Sequence, residues 1–295
     1  MDRSEGSNMS EQAQIHKVFE DVQAHLRIAE LIQRYSTNKR DIHRAALEGL
    51  DLQGSRQILD LGCAFGSFTD RLKGRVSREA VATGVDVIGS YEPLFLAACR
   101  RAGIQGRFFS TGTSILETFA DRSFDLILCS YALYFFPDMI PEISRLLHKK
   151  GTFVAITHHR HNAGEMIELI KGILDAMGLF HERELPLETI TGRFSSENGE
   201  ALLQPWFGRV NVIDFPNRLV FSKQDIEYFL EYYRFKSPLY FTDTGLDMEA
   251  TAPVVSERIR HAASERQGIT ISKDDCIFIC ALPRSGQEQR RQEKP

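Results

Sequence analysis

The sequence has no apolar run long enough to cross a bilayer, and its N-terminus is polar, without the apolar core of a signal peptide. It also lacks a basic excess, since 36 Lys and Arg residues stand against 40 Asp and Glu residues, for a formal net charge of −4. Surfaces that bind nucleic acid are usually strongly basic, so this balance disfavours them. These absences predict a protein with neither a membrane segment nor a nucleic-acid partner.

Cysteine is scarce as well. The five cysteines are odd in number, scattered and mostly inside apolar runs: Cys63, Cys99, Cys129, Cys276 and Cys280. A disulfide framework needs paired cysteines at suitable spacings, so reduced and buried thiols are expected instead. Reduced thiols are typical of a cytoplasmic protein, which is the predicted location.

The remaining composition is that of an ordinary globular protein, with 42% apolar and 26% charged residues. Apolar, strand-like runs alternate with amphipathic segments in the first half of the chain. Strands separated by helices favour a parallel sheet with right-handed crossovers. The predicted strands are residues 57–61, 81–86, 106–109, 124–129 and 152–158, and the predicted helices are 66–73, 91–102 and 138–148. The fold class is therefore α/β, with a doubly wound and mostly parallel sheet.

Helical patterns flank this core on both sides. On the N-terminal side, apolar residues at helical spacing predict one amphipathic helix from Ile15 to Tyr35, and the polar cluster at 35–38 suits the cap of a second helix over 39–50. The later predicted elements are a helix over 163–177, an irregular segment over 178–198, a strand–turn–strand over 208–221, helices over 223–234 and 248–266, and a strand over 275–282. That last strand would close the sheet in the antiparallel sense.

These boundaries predict a domain organisation in six parts. The parts are a disordered tail over 1–14, N-terminal helices over 15–55, a ligand-binding α/β core over 56–158, a substrate cap over 159–272 with a sheet strand near 209–215, a closing strand over 273–284, and a disordered tail over 285–295. No internal repeat is visible along the chain.

The most informative segment is a strand–turn–helix unit that opens the predicted core. An apolar run ends at Asp60, and Gly62, Cys63, Ala64 and Gly66 form a turn before an amphipathic helix. We call residues 60–66 the glycine turn. Glycines let a ligand approach bare backbone, and the N–H groups at a helix start suit a carboxylate or phosphate. A dinucleotide-binding loop has its second glycine two residues after the first, so alanine at that place disfavours a nicotinamide dinucleotide.

The glycine turn resembles the first motif of class I S-adenosylmethionine-dependent methyltransferases, Asp-x-Gly-x-Gly-x-Gly, with Ala64 at its middle glycine. The added methyl group is expected to be tolerated. Further segments resemble a broad bacterial subgroup of that family: Ser123-Phe124-Asp125 and residues 146–151, 164–169, 194–199 and 215–221. The resemblance covers roughly residues 35–282. It implies a Rossmann-like sheet, S-adenosyl-L-methionine as the cofactor and a methyltransferase activity.

The same resemblance implies which residues contact this methyl donor. The amino-acid end of the donor would lie over the glycine turn. Asp86, at the tip of the second strand and next to Val87, would accept hydrogen bonds from the ribose, and the alternative is an aspartate that only starts a turn. Thr113 and Ser114 stand where the family often has an acid near the adenine, with a plain loop as the alternative. Ser130, after the fourth strand, would lie near the adenine and the methyl group.

Aromatic residues outside the core are candidates for covering the site. Tyr35 precedes the first strand and could cap the donor, and the alternative is a structural hydrogen bond. Seven aromatic residues lie between 228 and 241. Core packing and a lid over an acceptor pocket are both open for them.

A run of histidines follows the fifth strand, at the edge where open α/β sheets place their sites. A histidine titrates near pH ~6.5, which suits a general base at neutral pH. His158 or His159 is therefore a candidate base or acceptor-orienting group. Two alternatives stay open, a metal site on His159 and His161 with an acid from elsewhere, and solvated loop histidines. No metal is expected, because no second cluster of ligands stands out.

The sequence thus predicts a methyltransferase that uses S-adenosylmethionine to modify an oxygen or nitrogen atom, or with less support a sulfur atom, of a small metabolite. The long aromatic-rich segment before the last strand favours a closed pocket for such an acceptor. A methyltransferase of RNA or protein is one alternative, which the acidic balance disfavours. A donor-binding sensor or partner protein without catalysis is another. The sequence indicates neither the acceptor nor the oligomeric state.

Overall fold

A computed structural model of the chain describes residues 16–179, 184–241, 244, 246–266 and 268–284. The tails predicted over 1–14 and 285–295 lie outside the described residues. The chain divides into two compact units. The helical unit lies within Met1–Lys39, His161–Ile190 and Pro216–Asp274, and the sheet unit lies within Arg40–Arg160, Thr191–Phe215 and Asp275–Pro295.

The helices are numbered in chain order. They are α1 (Val22–Tyr35), α2 (Ile42–Ala46), α3 (Ser67–Asp70), α4 (Glu92–Ala102), α5 (Ile140–Leu146), α6 (Gly164–Ala176), α7 (Pro186–Gly192), α8 (Gly199–Leu203), α9 (Ile226–Phe241) and α10 (Met248–Glu265). Residues 16–19 are also helical. Within the described ranges, none of the helices combines the length and apolar character needed to cross a membrane.

The strands are numbered in the same way. They are β1 (Gln57–Leu61), β2 (Val81–Val85), β3 (Gln105–Phe109), β4 (Phe124–Ser130), β5 (Leu147–His158), β6 (Phe207–Phe215), β7 (Arg218–Ser222), β8 (Gly268–Ser272) and β9 (Asp275–Pro283). Short stretches of 3₁₀ helix follow several of them, including Gly112–Thr118 after β3.

The sheet unit is built on seven strands in the order β3-β2-β1-β4-β5-β9-β6. The first five are parallel neighbours, and β9 runs antiparallel between β5 and β6. The predicted mostly parallel, doubly wound sheet with an antiparallel last strand is therefore confirmed. Because β1, β2, β4 and β5 are parallel, their carboxyl ends meet at one edge, which we call the carboxyl edge. Leu61 at the end of β1 is paired with both Val85 and Cys129.

Burial of the central strands explains the near-continuous apolar runs that predicted them. Four of the five residues of β1 are buried, as are four of five in β2. Strands buried on both faces read in this way because helices cover both sides of a parallel sheet. All five cysteines are free and buried, as the sequence predicted.

The helical unit holds α1, α6, α9, α10, most of α7 and the antiparallel pair β7–β8. Its core contains the side chains of five aromatic residues that are fully or almost fully buried: Phe229, Tyr232, Tyr233, Tyr240 and Phe241. Core packing is thus observed for most of the predicted aromatic group. The lid over an acceptor pocket stays a prediction.

The N-terminal prediction is wrong in two respects. The expected single helix is interrupted at Glu20, and Asp21 caps α1 by accepting a hydrogen bond from the amide of Ala24 at 2.9 Å. The cluster at 35–38 does not cap the next helix, because Asp41 does so through the amide of Arg44 at 3.0 Å. Asn38 does not cap a helix. Its backbone amide donates a hydrogen bond to the side-chain oxygen of Asn217. Short polar side chains compete for such caps, and the sequence alone did not rank them.

Three further predictions need correction. The segment 178–198 was expected to be irregular, but its described part contains α7. The two strands over 208–221 exist, but they belong to different sheets, since β6 pairs with β9 and β7 pairs with the unpredicted β8. The helix expected over 223–234 begins at Ile226 and continues through Pro238 to Phe241. Tertiary pairing over long sequence distances decides the first two cases, and local pattern carries no such information.

Candidate functional site

The glycine turn follows β1 at the carboxyl edge and contains three left-handed residues. The φ angles are +64° at Gly62, +41° at Ala64 and +76° at Gly66. A Cβ atom at Gly62 would overlap Cβ of Ala132, and one at Gly66 would lie 2.7 Å from Cβ of Ala98. Both glycines are therefore required by backbone conformation and close packing. Ala64 adopts a conformation that costs an L-residue about 1–2 kcal/mol.

Most backbone amides of the turn are already used within the sheet unit. The amides of Gly62 and Cys63 donate to the carbonyl of Val85 at 2.8 and 3.2 Å, and that of Gly66 donates to Cys63 at 2.8 Å. Ala64 donates to Oδ2 of Asp86 at 2.9 Å. The following helix α3 has only four residues, so the predicted role of helix-start amides for the donor stays a prediction.

Asp86 organises the loop after β2 and ties it to the glycine turn. Its Oδ1 accepts hydrogen bonds from the amides of Val87 at 2.8 Å and Ile88 at 3.0 Å, while Oδ2 accepts from Ala64. The alternative of an aspartate that starts a turn is therefore observed. The carboxylate is only partly buried, so it can also face a ligand at the carboxyl edge. Its contact with a ribose stays a prediction.

Asp60, at the end of β1, is a buried acid. The hydroxyl of Thr69 donates to its Oδ2 at 2.6 Å. Burial raises the pKa of Asp60 to about 7, against the opposing effect of the Thr69 hydrogen bonds, and the negative charge of Asp86 raises it further. Two interacting carboxyl groups therefore flank the glycine turn. Such a pair attracts a cationic ligand and repels a pyrophosphate.

Thr113 and Ser114 lie in the 3₁₀ turn after β3. The amide of Gly112 donates to the backbone carbonyl of Asp86 at 3.1 Å, and a Cβ at Gly112 would lie 2.9 Å from Cγ1 of Val87. This turn is thus held against the loop after β2. Thr113 is half-buried, whereas Ser114 is exposed and donates its hydroxyl to the carbonyl of Thr111 at 2.9 Å. The position suits a contact with a nucleoside, which stays a prediction for both residues.

Ser130 ends β4, and a residue that the sequence reasoning missed contacts it. Nε2 of His43, on α2, lies 3.0 Å from Oγ of Ser130. The His43 ring packs against Phe68 with a centroid distance of 4.8 Å. No spacing or composition signal marks His43, because only the packing of α2 brings it to the carboxyl edge.

His158 is the more deeply buried of the two candidate bases and has a carboxylate within hydrogen-bond distance. It is buried at the end of β5, and its Nδ1 lies 2.7 Å from Oδ1 of Asp275. The hydroxyl of Tyr131 donates to the other oxygen of Asp275 at 2.8 Å. The rings of Tyr131 and Tyr134 stack beside the imidazole at centroid distances of 4.6 and 6.1 Å. Asp275 was not predicted as a site residue.

Tyr131 also has a strained backbone. Its φ angle is +55°, which is a true outlier for a bulky residue. Its amide donates to the carbonyl of Ile156 on β5 at 2.8 Å, which holds the chain in this conformation. Strain of this kind costs of order 1–3 kcal/mol and is concentrated at functional sites.

His159 is placed differently. Its Nδ1 lies 3.7 Å from Oε1 of Glu197 and its Nε2 lies 3.9 Å from Oδ1 of Asp214, both longer than hydrogen bonds. The side chain is 33% exposed. Burial would raise the pKa of Glu197, but hydrogen bonds from Ser195 and from the amide of Arg160 hold it below its usual value. In the part of the chain that the structure describes, no three His, Cys, Asp or Glu side chains are grouped to hold a metal ion.

Tyr35 belongs to the helical unit, whereas the other predicted site residues belong to the sheet unit. Its hydroxyl donates to Oδ1 of Asp225 at 2.8 Å, and its ring stacks on Phe221 at 4.4 Å. Burial, together with the neighbouring Asp225, raises the pKa of Tyr35 to about 12. The alternative of a structural hydrogen bond is thus what the structure shows. A role as a cap on the donor stays a prediction.

The segment that contains the glycine turn is similar to known proteins. Residues 58–151 match the family model described as a methyltransferase domain. The chain is 24% identical over 153 residues to the uncharacterized methyltransferase YcgJ of Bacillus subtilis, covering 50% of this chain and 58% of that protein. It is 29% identical over 143 residues to the uncharacterized methyltransferase C70.08c of Schizosaccharomyces pombe, covering 45% and 52%. The chain thus spans little more than half the length of these relatives.

A similarity to solved structures accompanies these matches. The crystal structure of YcgJ from Bacillus subtilis aligns with a TM-score of 0.48 and 16% identity, covering 88% of this chain and all of that one.

Proposed function

Residues 58–151 match the model of a methyltransferase domain, and we propose that this protein is a class I methyltransferase, which transfers a methyl group from S-adenosylmethionine to a small metabolite. The observation that carries the proposal is the pair of carboxyl groups of Asp60, the first residue of the glycine turn, and Asp86, which accepts a hydrogen bond from the turn. Because β1 and β2 are adjacent parallel strands, both acids lie at the same edge of the sheet. The acceptor atom is an oxygen, a nitrogen or, with less support, a sulfur.

The chemistry of these residues fits the donor. S-adenosylmethionine carries a sulfonium and an ammonium group, and two flanking carboxyl groups favour such cations. An acid in the place of Asp86 also suits the ribose of a nicotinamide dinucleotide, so it is the charge of Asp60 beside the turn that disfavours the pyrophosphate of that ligand. The residues that would hold the donor are Asp60 and Ala64 of the turn, Asp86 for the ribose, and Thr113 and Ser130 for the nucleoside. When bound, the sulfonium supplies an electrophilic methyl group.

His158 is placed to act as the general base that the acceptor needs. A carboxylate that accepts from Nδ1–H fixes the imidazole tautomer and leaves Nε2 as the basic nitrogen. Asp275 is placed to do this, and the Tyr131 hydroxyl orients its other oxygen. The base takes a proton from the acceptor during attack, and Asp275 stabilises the imidazolium that forms. A hydroxyl or protonated amine needs such a base, whereas a carboxylate acceptor does not.

Titration calorimetry with S-adenosylmethionine and S-adenosylhomocysteine tests the donor. We expect micromolar binding by the wild-type protein, and no comparable binding of NAD. Asp51 is an exposed acid outside the proposed site, so Asp51→Asn serves as a matched control for Asp86→Asn. A folded wild-type protein that binds neither ligand would overturn the proposal.

Transfer of a labelled methyl group tests the acceptor class. The protein and labelled donor are incubated with a metabolite extract, with bulk RNA and with total protein, and the label is counted in each fraction. We expect label in the small-molecule fraction. Label in RNA or protein would support the macromolecular alternative, and donor binding without label in any fraction would favour a protein that binds the donor without catalysis.

A further inference from the structure

The contact between His43 and Ser130 joins two segments that are 87 residues apart. Ser130 ends β4 at the carboxyl edge, and His43 is the second residue of the short helix α2. The side chain of His43 is only 17% exposed, so its position is fixed by packing. A serine hydroxyl can both donate and accept a hydrogen bond, so the state of its partner decides what it offers to a ligand.

Charged groups around His43 indicate which ring nitrogen carries the proton. Nδ1 lies 3.9 Å from Oδ1 of Asp41. Burial would raise the pKa of Asp41, but hydrogen bonds from the Arg44 amide and from Arg71 at 2.7 Å hold it below its usual value. Asp41 is therefore a stable carboxylate on the Nδ1 side; it lies beyond hydrogen-bond distance, and its negative charge favours the tautomer with Nδ1–H. Asp70, bonded to Arg71, is the next charge beyond it.

In that tautomer Nε2 is an acceptor, and the Ser130 hydroxyl donates to it. The lone pairs of Ser130 Oγ are then the groups that it offers to a ligand. We propose that His43 is a positioning residue for the methyl donor, which acts by holding Ser130 as an acceptor for an amino or hydroxyl group of the bound nucleoside. This inference rests on the proposed function, since it requires that the donor binds at the carboxyl edge.

Protonation of His43 reverses the hydrogen bond. Nε2–H then donates to one lone pair of Ser130 Oγ, which leaves the serine with one lone pair instead of two and turns its hydroxyl proton toward the ligand. Histidine is the side chain whose charge ordinarily changes between pH 5 and 8. Donor affinity is therefore expected to fall as the pH falls through the titration of His43. The Asp60 carboxyl group adds a pH dependence of its own, which substitutions at His43 leave in place.

A double-mutant cycle measures the coupling. The probe is S-adenosylhomocysteine, and calorimetry compares the wild type with His43→Ala, Ser130→Ala and the double variant. Loss of one hydrogen bond to a ligand corresponds to roughly tenfold weaker binding. We expect each single variant to show that loss, and the double variant to bind no more weakly than either. Additive losses, or an unchanged affinity in His43→Ala, would overturn the proposal.

His43→Gln separates positioning from packing. Glutamine keeps a polar group near Ser130 but does not titrate, so we expect affinity within about threefold of wild type at pH 8. The affinity difference between wild type and His43→Gln should grow as the pH falls to 5.5, whereas His148→Gln, an exposed control, should follow the wild type. Identical pH profiles for wild type and His43→Gln would overturn the inference even if His43→Ala does not fold. Failure of the wild type to bind the probe would instead contradict the proposed function.

Discussion

Asp275 Oδ1 lies 2.7 Å from Nδ1 of His158, although 117 residues separate them in the chain. The pairing of β5 with β9 explains this contact, since His158 and Asp275 are register partners at the last and first residues of their strands. The sheet therefore sets the distance between the proposed base and its carboxylate. Rigid strands hold such a pair more accurately than two loops would.

Asp275→Asn should lower the turnover number while leaving donor binding unchanged. Asparagine keeps the size of the side chain but cannot stabilise the imidazolium or hold the Nδ1–H tautomer as a carboxylate does. We expect a decrease of about 10²–10³-fold, comparable to that of His158→Gln. Initial rates over pH 5.5–9, with an acceptor found in the labelled-methyl screen, give the measurement.

The same rates distinguish the two histidines. His159 has no hydrogen bond among its carboxylate contacts, so His159→Gln should retain most of the turnover. A large loss at His159 with none at His158 would assign the base to the other residue. Equal turnover in all variants would mean that the acceptor needs no base.

The raised pKa of Asp60 predicts how the stability of the protein depends on pH. Its folded-state pKa of about 7 lies above the ordinary value, so between about pH 4 and 7 the native state binds more protons than the unfolded state. The free energy of unfolding should therefore fall as the pH rises through that window, by at most on the order of 4 kcal/mol. Urea unfolding of wild type and Asp60→Asn at several pH values measures it. In Asp60→Asn, the decrease in unfolding free energy that is due to Asp60 should be absent. If the plots of unfolding free energy against pH were parallel for the two proteins, the pKa of Asp60 would not be raised.

Donor binding should release protons at the same residue. A bound cation lowers the pKa of a neighbouring carboxyl group, so at pH 6.5 part of the Asp60 population would lose its proton when S-adenosylmethionine binds. Calorimetry in buffers with different ionisation enthalpies counts those protons. We expect net release by the wild type and markedly less by Asp60→Asn. Equal proton counts would place the cationic groups of the donor away from Asp60.

Asp86→Asn should weaken binding of S-adenosylhomocysteine by about 100-fold or more. The substitution removes a charged acceptor from the ribose, and its amide group would face backbone N–H groups that now donate to the carboxylate. Calorimetry at pH 7.5 gives the affinity, and thermal unfolding shows whether the loop stays folded. A folded variant that binds as tightly as Asp51→Asn would limit Asp86 to its role in the turn.

Two tyrosines of the helical unit should respond in opposite ways to the same substitution. Tyr35→Phe loses a hydrogen bond to Asp225, which should cost about 1 kcal/mol because the acceptor is close to solvent. Tyr233 is fully buried, and its hydroxyl has no hydrogen-bond partner among the described residues. Tyr233→Phe should therefore be neutral or stabilising. Urea unfolding measures the change in unfolding free energy for both variants. A large destabilisation of Tyr233→Phe would show that the hydroxyl has a hydrogen-bond partner.

Elements with a strong local signal were predictable from the sequence. The five parallel strands coincide with the predicted strand segments. The glycines of the turn are explained by close packing in the fold, as at Gly62, where a Cβ atom would overlap Ala132. The position of Asp86 directly after β2 was predicted in the same way, because the tip of a strand is a position that the order of elements specifies. Such features depend on neighbours in sequence, and pattern reasoning reads them directly.

The missed features all depend on partners far away in the chain. Asp275 reads as the start of a strand until its pairing with β5 is known, and His43 reads as a helical histidine until α2 is packed. The pair β7–β8 was missed for the same reason. Tyr131 could not be identified either, because its left-handed backbone is imposed by surrounding contacts rather than by its own preference.

The position of β9 has a consequence for the synthesis of the protein. Among the described strands β9 comes last in the chain, yet it lies between β5 and β6. On the ribosome, β5 and β6 would therefore wait with unpaired edges until residues 275–283 have been made and released. The nascent chain would be open to chaperones or to misassembly at this stage. The His158–Asp275 pair would form only once β9 has joined the sheet.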